Sequence, residues 1–229
     1  MRNWTARPIC AFDLETTGRD PHSARIVTAS VVTVDDGPPR PRNWILDPGI
    51  EIPEDASAVH GISTGQARTH GQDYATGYRQ IREALTGAWR AGYAVVAFNA
   101  AYDLTVLDAE ARRLGWPPLD DYGLVLDPYV IDRALDPDRE GRRTLGALCE
   151  HYGVELASAH HAEADALAAA TLARLLPQRF PVLRECDDMM GSQAAWHARR
   201  QRDLVEYLHR EGRVTSDVDE QWPIRRPAA

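Results

Sequence analysis

An apolar run that ends in two acids constrains this chain more than any other feature. Ile9-Cys10-Ala11-Phe12 has the density of a buried strand, and Asp13-Leu14-Glu15 follows directly. Residues two apart in a strand point to the same side of the sheet. Asp13 and Glu15 are therefore expected to project together from the strand's end. Ionised carboxylates do not sit side by side at a core edge without positive charge between them. The simplest source is a divalent cation, and oxygen ligands suit Mg²⁺ or Mn²⁺. The same spacing recurs at Asp108/Glu110 and Asp138/Glu140. Those copies fall on an expected helix and a charged loop, and read as solvated surface.

The rest of the pattern is that of an α/β sheet whose antiparallel part comes first. β-branched residues predict a second strand over 25–35. The turn Asp36-Gly37-Pro38-Pro39 leads to a short third strand over 43–46, and 48–70 reads as loop. Tyr78, Ile81, Leu85 and Trp89 are spaced for one face of a helix over 74–91. Strands over 93–98 and 124–127 enclose a helix over 99–115 that stops before Pro117-Pro118. A helix over 144–152 has Thr144 as its cap and Gly153 as its stop. An alanine-rich helix over 162–176 is expected to end at Pro177.

The expected division is a domain over 1–180 followed by a C-terminal helix and polar tail over 181–229. The helix spans about 192–211, and Trp196, Leu204, Tyr207 and Leu208 suit packing on the domain or against another subunit. Residues 216–229 read as disordered, with Trp222-Pro223-Ile224 as a local anchor.

Composition narrows the classes. A chain of 229 residues suits one substantial domain plus an appendage. No apolar run approaches the roughly 20 residues that span a bilayer. Met1-Arg2-Asn3-Trp4 lacks the apolar core of a signal peptide, so a cytoplasmic protein is expected. Cys10, Cys149 and Cys186 form no close pair, which argues against a disulfide framework or structural zinc. A net charge of -8 disfavours a broad basic surface for nucleic acid. It leaves open an acidic pocket that meets phosphate through bound metal. All 26 basic residues are arginine, which reads as coding bias.

Two later segments join the opening pair. Asp103 follows Val95-Val96-Ala97-Phe98-Asn99, just beyond a buried strand, where open α/β sheets bind ligands. His160-His161-Ala162-Glu163-Ala164-Asp165 puts an acid on the first turns of a helix, five residues after a histidine. In order, Asp-x-Glu, Asn-x-x-x-Asp and His-x-Ala-x-x-Asp-Ala resemble the three motifs of the DnaQ-like DEDDh 3'-5' exonucleases. That family includes the proofreading epsilon subunit of bacterial DNA polymerase III. The resemblance spans about residues 8–176, and His60-Gly61-Ile62 matches a lesser signature.

The resemblance implies a ribonuclease H-like mixed five-stranded sheet flanked by helices, with a C-terminal helical extension. It also implies hydrolysis of the terminal phosphodiester of single-stranded ends, DNA being the first expectation, with release of nucleoside 5'-monophosphates. A small-RNA 3'-5' exoribonuclease and a polymerase-associated proofreading subunit are the alternatives. By the same resemblance Asp13, Glu15, Asp103 and Asp165 hold two divalent metal ions, Mg²⁺ or Mn²⁺, which in such sites lie about 3.5–4 Å apart. His160 is the general base, with His161 as its competitor in the place of a sister subfamily's tyrosine. Leu14, Thr16 and Thr17 meet the terminal nucleotide, His60 its sugar, Asn99 the strand, and Tyr102 a base. Phe98 departs from the family, whose members often carry histidine there. Gln201-Arg202-Asp203-Leu204-Val205-Glu206-Tyr207 loosely resembles a sliding-clamp ligand, a pattern short enough to arise by chance. Through it the extension would meet a sliding clamp or DNA polymerase.

Overall fold

The computed structural model describes residues 4–157, 159–215 and 218–227. Five strands, β1 (Ile9–Thr16), β2 (Ile26–Val34), β3 (Arg40–Ile45), β4 (Ala94–Val96) and β5 (Val125–Leu126), form one sheet in the order β3-β2-β1-β4-β5. β1, β2 and β3 pair antiparallel, and β4 and β5 run parallel to β1. The sheet is thus mixed, with its antiparallel part first in the chain. The helices are α1 (Glu54–His60), α2 (Thr64–His70), α3 (Tyr74–Arg90), α4 (Ala100–Arg113), α5 (Pro128–Leu135), α6 (Leu145–Tyr152), α7 (Ala162–Arg179) and α8 (Met189–Arg210).

The alternation along β1 sorts its side chains between two layers. Cys10, Phe12 and Leu14 enter a core shared with α3 and α4, where Tyr78, Ile81, Leu85, Leu104 and Leu107 are buried. Ile9 and Ala11 face α7, whose Ala166, Ala169, Ala170 and Ala173 are buried against the sheet. The small alanines bring the α7 backbone close to β1. That closeness later places an α7 acid beside the strand's acids.

Several expectations need correction. The 48–70 segment contains two short helices, and α2 starts with a capping box in which Ser63 and Gln66 satisfy one another's backbone N–H groups. A further helix, α5, follows β5 directly, with Asp127 as its cap and Pro128 in its first turn. Pro177 does not end α7, which continues to Arg179. Proline removes only one hydrogen bond, and so near the helix end the remaining turn survives. Asp108 and Glu110 are fully buried, whereas Asp138 and Glu140 are exposed.

The extension folds back on the domain. Gln193 of α8 is buried and donates to Val125 O at 2.9 Å, while its Oε1 accepts from Asp127 N at 2.7 Å. Of the stretch expected to be disordered, residues 216, 217, 228 and 229 lie outside the described residues. Within the rest, Trp222 and Ile224 are buried in the core beside α4. No described helix is long and apolar enough to cross a membrane.

Candidate active site

Three elements bring four acids to the end of β1. Burial alternates there as partly exposed Asp13, buried Leu14, partly exposed Glu15 and buried Thr16. With Phe12 and Leu14 committed to the core, both acids turn to the α7 side. Asp165 comes from the first turn of α7, and Asp103 from the first turn of α4. Asp103 Oδ1 accepts from Leu14 N at 3.2 Å, which ties α4 to β1 at this point. Both Asp103 and Asp165 are buried.

No arginine pairs with these acids among the described residues. Burial pushes the Asp13 carboxyl well above the usual range, and Asp103, Glu15 and Asp165 add their repulsion in that order. Asp103 is also driven well up by burial, against a hydrogen bond from Leu14. Glu15 rises to about 7 through burial and the charge of Asp165. Asp165 rises through burial, although a backbone hydrogen bond and both histidines oppose the shift. Asp165 Oδ1 is buried without a hydrogen-bond partner. An orphaned oxygen among crowded carboxylates is the donor set of a hard divalent cation.

The histidines separate clearly. His160 has φ 64, the left-handed region that costs a non-glycine residue roughly 1–2 kcal/mol. Its N–H donates to Asp165 Oδ2 at 3.1 Å. One ring nitrogen of His160 and one oxygen each of Glu15 and Asp165 lie within 4.8 Å of one another. His161 is the exposed residue that caps α7, and it stands outside that group.

Beside the acids lies a cavity of about 210 Å³ whose wall includes Leu14, Glu15, Thr16, His60 and Tyr102. The Tyr102 hydroxyl, the Thr16 hydroxyl and Gly18 O form a tight hydrogen-bonded trio. Burial raises the Tyr102 phenol to about 12, so it stays protonated. His60 accepts from Ile62 N through Nδ1 at 3.2 Å, and its ring is buried beside the Thr16 backbone. Burial also holds the His60 pKa below its ordinary value. Thr17 and Asn99 are not part of this wall. Thr17 Oγ1 accepts from Arg25 N at 2.9 Å, bracing the strand exit. Asn99 precedes α4 with φ 63 and gives its N–H to Asp127 Oδ1 at 2.9 Å. Phe98 packs edge-on against Tyr129, with ring centroids 5.6 Å apart.

Asp127 is a residue that the motif reading missed. It is fully buried, and it accepts from Asn99 N and Ala100 N at 2.9 Å and from Tyr129 N at 3.0 Å. The Trp222 indole donates to it at 3.4 Å. Burial raises its pKa to about 6, with these hydrogen bonds acting the other way. One carboxylate therefore fixes the start of α4, the start of α5 and the C-terminal tail. Its sequence signal was an acid before proline, a helix cap followed by a first-turn proline.

Comparison with known proteins identifies the family and the fold. A family model described as Exonuclease matches residues 10–173. A PolC-type DNA polymerase III of Staphylococcus haemolyticus is 29% identical over 157 residues, covering 67% of this chain and 10% of that protein. The DNA polymerase III subunit epsilon of Treponema pallidum is 27% identical over 202 residues, covering 86% of this chain and 81% of the relative. Among solved structures, E. coli exonuclease I in complex with a dA16 oligonucleotide superposes with a TM-score of 0.67 at 20% identity, over 87% of this chain and 45% of that one. The chain thus spans about a tenth of the PolC-type relatives and under half of exonuclease I.

Proposed function

The chain belongs to the exonuclease family whose model spans residues 10–173, and on that premise we propose that it is a metal-dependent 3'-5' exonuclease of single-stranded ends. DNA is the substrate class and nucleoside 5'-monophosphates are the products. One observation carries the reading. Asp13, Glu15, Asp103 and Asp165 converge with no arginine paired to them among the described residues, and His160 stands at their rim. When bound, two divalent ions, Mg²⁺ or Mn²⁺, would supply an activated water and neutralise charge on the phosphate.

The chain's own residues do the rest. Asp13, Glu15, Asp103 and Asp165 would together hold the ions, Asp13 being the acid that feels the repulsion of the other three. His160 takes the proton of the attacking water, its loop held by the bond from its N–H to Asp165. Leu14, Thr16, His60 and Tyr102 enclose the terminal nucleotide in the adjoining cavity. Thr17 and Asn99 act behind that wall, on the strand exit and on the start of α4. Residues 1–180 are the catalytic domain and 181–229 its appendage, of which α8, Trp222 and Ile224 pack on the domain.

Digestion of end-labelled single-stranded DNA, duplex DNA and RNA with Mg²⁺ or Mn²⁺ tests this, with Asp13→Ala as control. Stepwise shortening of single-stranded DNA from the 3' end is expected. Preference for RNA would establish the exoribonuclease alternative, and unchanged digestion in excess chelator would remove the metal mechanism. A second reading, proofreading inside a polymerase, is favoured by the polymerase relatives. Capture of a polymerase catalytic subunit that depends on residues 181–229 tests it.

A further inference from the structure

Between α5 and α8 lies a cavity of about 450 Å³, larger than the one beside the acids. Its wall carries Arg133, Arg143, Arg199 and Arg200 against a single acid, Asp203, in a chain whose net charge is -8. The arginines are not equivalent. Arg143 is neutralised by Asp132 at 2.6 Å and donates to Asp136 O, also at 2.6 Å. Among the described residues, Arg133, Arg199 and Arg200 have no carboxylate within ion-pair distance. The Arg133 Nε is buried without a hydrogen-bond partner, and its guanidinium lies 5.4 Å from the centre of the Tyr129 ring. Burial, with Arg200 and Arg143 nearby, lowers the Arg133 pKa although Tyr129 opposes the shift. Trp196 adds a second aromatic ring to the wall.

Unpaired guanidinium groups beside flat rings form the donor set for phosphates whose bases stack. An acidic peptide would meet the charges equally well, so position decides. Tyr129 of this wall packs edge-on against Phe98, the residue before Asn99, and Asp127 holds the N–H groups of both Asn99 and Tyr129. The cavity wall and the start of the active-site helix are thus joined through Phe98 and Asp127. A strand whose 3' end lies at the acids must leave over a neighbouring surface, and this surface is positive.

We propose that the cavity between α5 and α8 binds phosphates and a base of the substrate strand upstream of the cleaved end. This rests on the single-strand exonuclease reading of the acid cluster. It makes α8 a part of substrate recognition as well as a packing element.

The test compares wild type with Arg133→Gln/Arg200→Gln on two substrates. Thymidine 5'-p-nitrophenyl phosphate is too short to reach the cavity, and dT16 is long enough. The expected result is a KM for dT16 raised about 10-fold or more, with kcat and turnover of the small ester unchanged. Two lost phosphate contacts should also flatten the salt dependence of log KM by roughly 1.4, at about 0.7 per single-strand phosphate. Should the double variant fold poorly, Arg199→Gln/Arg200→Gln on α8 removes two arginines of the same wall and reads the same effect. An unchanged KM and salt slope for dT16 overturns the proposal, as does a parallel loss on both substrates. A fluorescent Asp-rich peptide that binds wild type but not the variant, with dT16 kinetics unmoved, would make the cavity a peptide site and overturn it too. Wild type inert on both substrates with either metal defeats the exonuclease reading itself.

Discussion

Two groups of buried or half-buried acids occur in this fold, and they are resolved in opposite ways. Asp108 and Glu110 of α4 and Asp132 of α5 are fully buried, and each is met by arginine. Glu110 pairs with Arg25 at 3.0 Å and with Arg113. Asp108 pairs with Arg112 and accepts from Leu119 N at 2.9 Å. Asp132 pairs with Arg139 at 3.0 Å and Arg143 at 2.6 Å, and takes the Tyr152 hydroxyl at 2.8 Å. Among the described residues, Asp13, Glu15, Asp103 and Asp165 pair with no arginine; Asp103 and Asp165 each take a backbone N–H, and His160 and His161 offset only part of the shift at Asp165. The first group is electrically finished by the chain. The second is left unfinished by the chain's own side chains, which is the state that the proposed metal ions would complete.

Substitution should therefore separate the groups by what is lost. Asp13→Ala or Asp165→Ala is expected to lower exonuclease turnover by about three orders of magnitude, roughly 4 kcal/mol in the barrier. The circular-dichroism spectrum should not change, because removing a crowded charge does not strain the fold. Asp132→Ala should do the reverse. It strands Arg139 and Arg143, and unfolding in denaturant should show a loss of about 3–5 kcal/mol. An unstable Asp13→Ala beside a stable Asp132→Ala would erase the distinction.

The next effect concerns the histidines. His160→Ala should slow hydrolysis by about 100-fold or more, the usual worth of a placed general base. Stabilisation by added Mn²⁺ should survive, since the four acids remain. His161→Ala, at the exposed helix cap, should leave the rate within a few fold. A damaging His161→Ala with a silent His160→Ala would transfer the proton to the other ring.

A smaller effect tests the repulsion directly. The folded pKa of Glu15, about 7, lies above the unfolded carboxylate value of about 4.3. Such a group contributes stability that is full below the unfolded pKa and is lost as pH rises through the folded one. Metal-free wild type should thus lose more stability than Glu15→Gln between pH 5 and 8. The difference should be on the order of 1 kcal/mol, since solvent screens this part-exposed group. Divalent cation offsets the repulsion, so the rise in Tm it causes should grow across the same window. Equal pH slopes for the two proteins would contradict the account.

How far the sequence revealed this contrast depends on which interactions are local. The α/β order, the antiparallel start and the sheet-end acids follow from strand alternation and from short motifs, which are local. Phe12 and Leu14 committed to the core leave Asp13 and Glu15 one direction to face. The partners of Asp108 and Glu110 are not local throughout, because Arg25 and Arg226 come from far along the chain. Read on their own helix, those acids looked like solvated surface. Asp127 escaped notice for the same reason, since it joins Asn99, Gln193 and Trp222 across the fold.

The smallest effect belongs to the tail, which touches one acid of the paired group and the buried Asp127 that lies behind the other group. Arg226 reaches Asp108 at 3.5 Å and Asp120 at 2.6 Å, while Trp222 donates to Asp127 behind the start of α4. Arg226→Gln removes a part-exposed partner from an acid that keeps Arg112, so unfolding should shift by no more than about 1 kcal/mol and activity should hold. Trp222→Phe keeps the buried ring but removes the indole N–H from Asp127. Its cost to stability should be similar, near 1 kcal/mol for one hydrogen bond. Activity should also fall a few fold, because Asp127 sets Asn99 and Ala100 at the head of the helix that carries Asp103. The sharpening lies in that difference. Two tail substitutions of like stability cost should part in turnover, with only the one on Asp127, which sets the start of the helix carrying Asp103, slowing the enzyme. Equal turnover in both would confine the tail to packing.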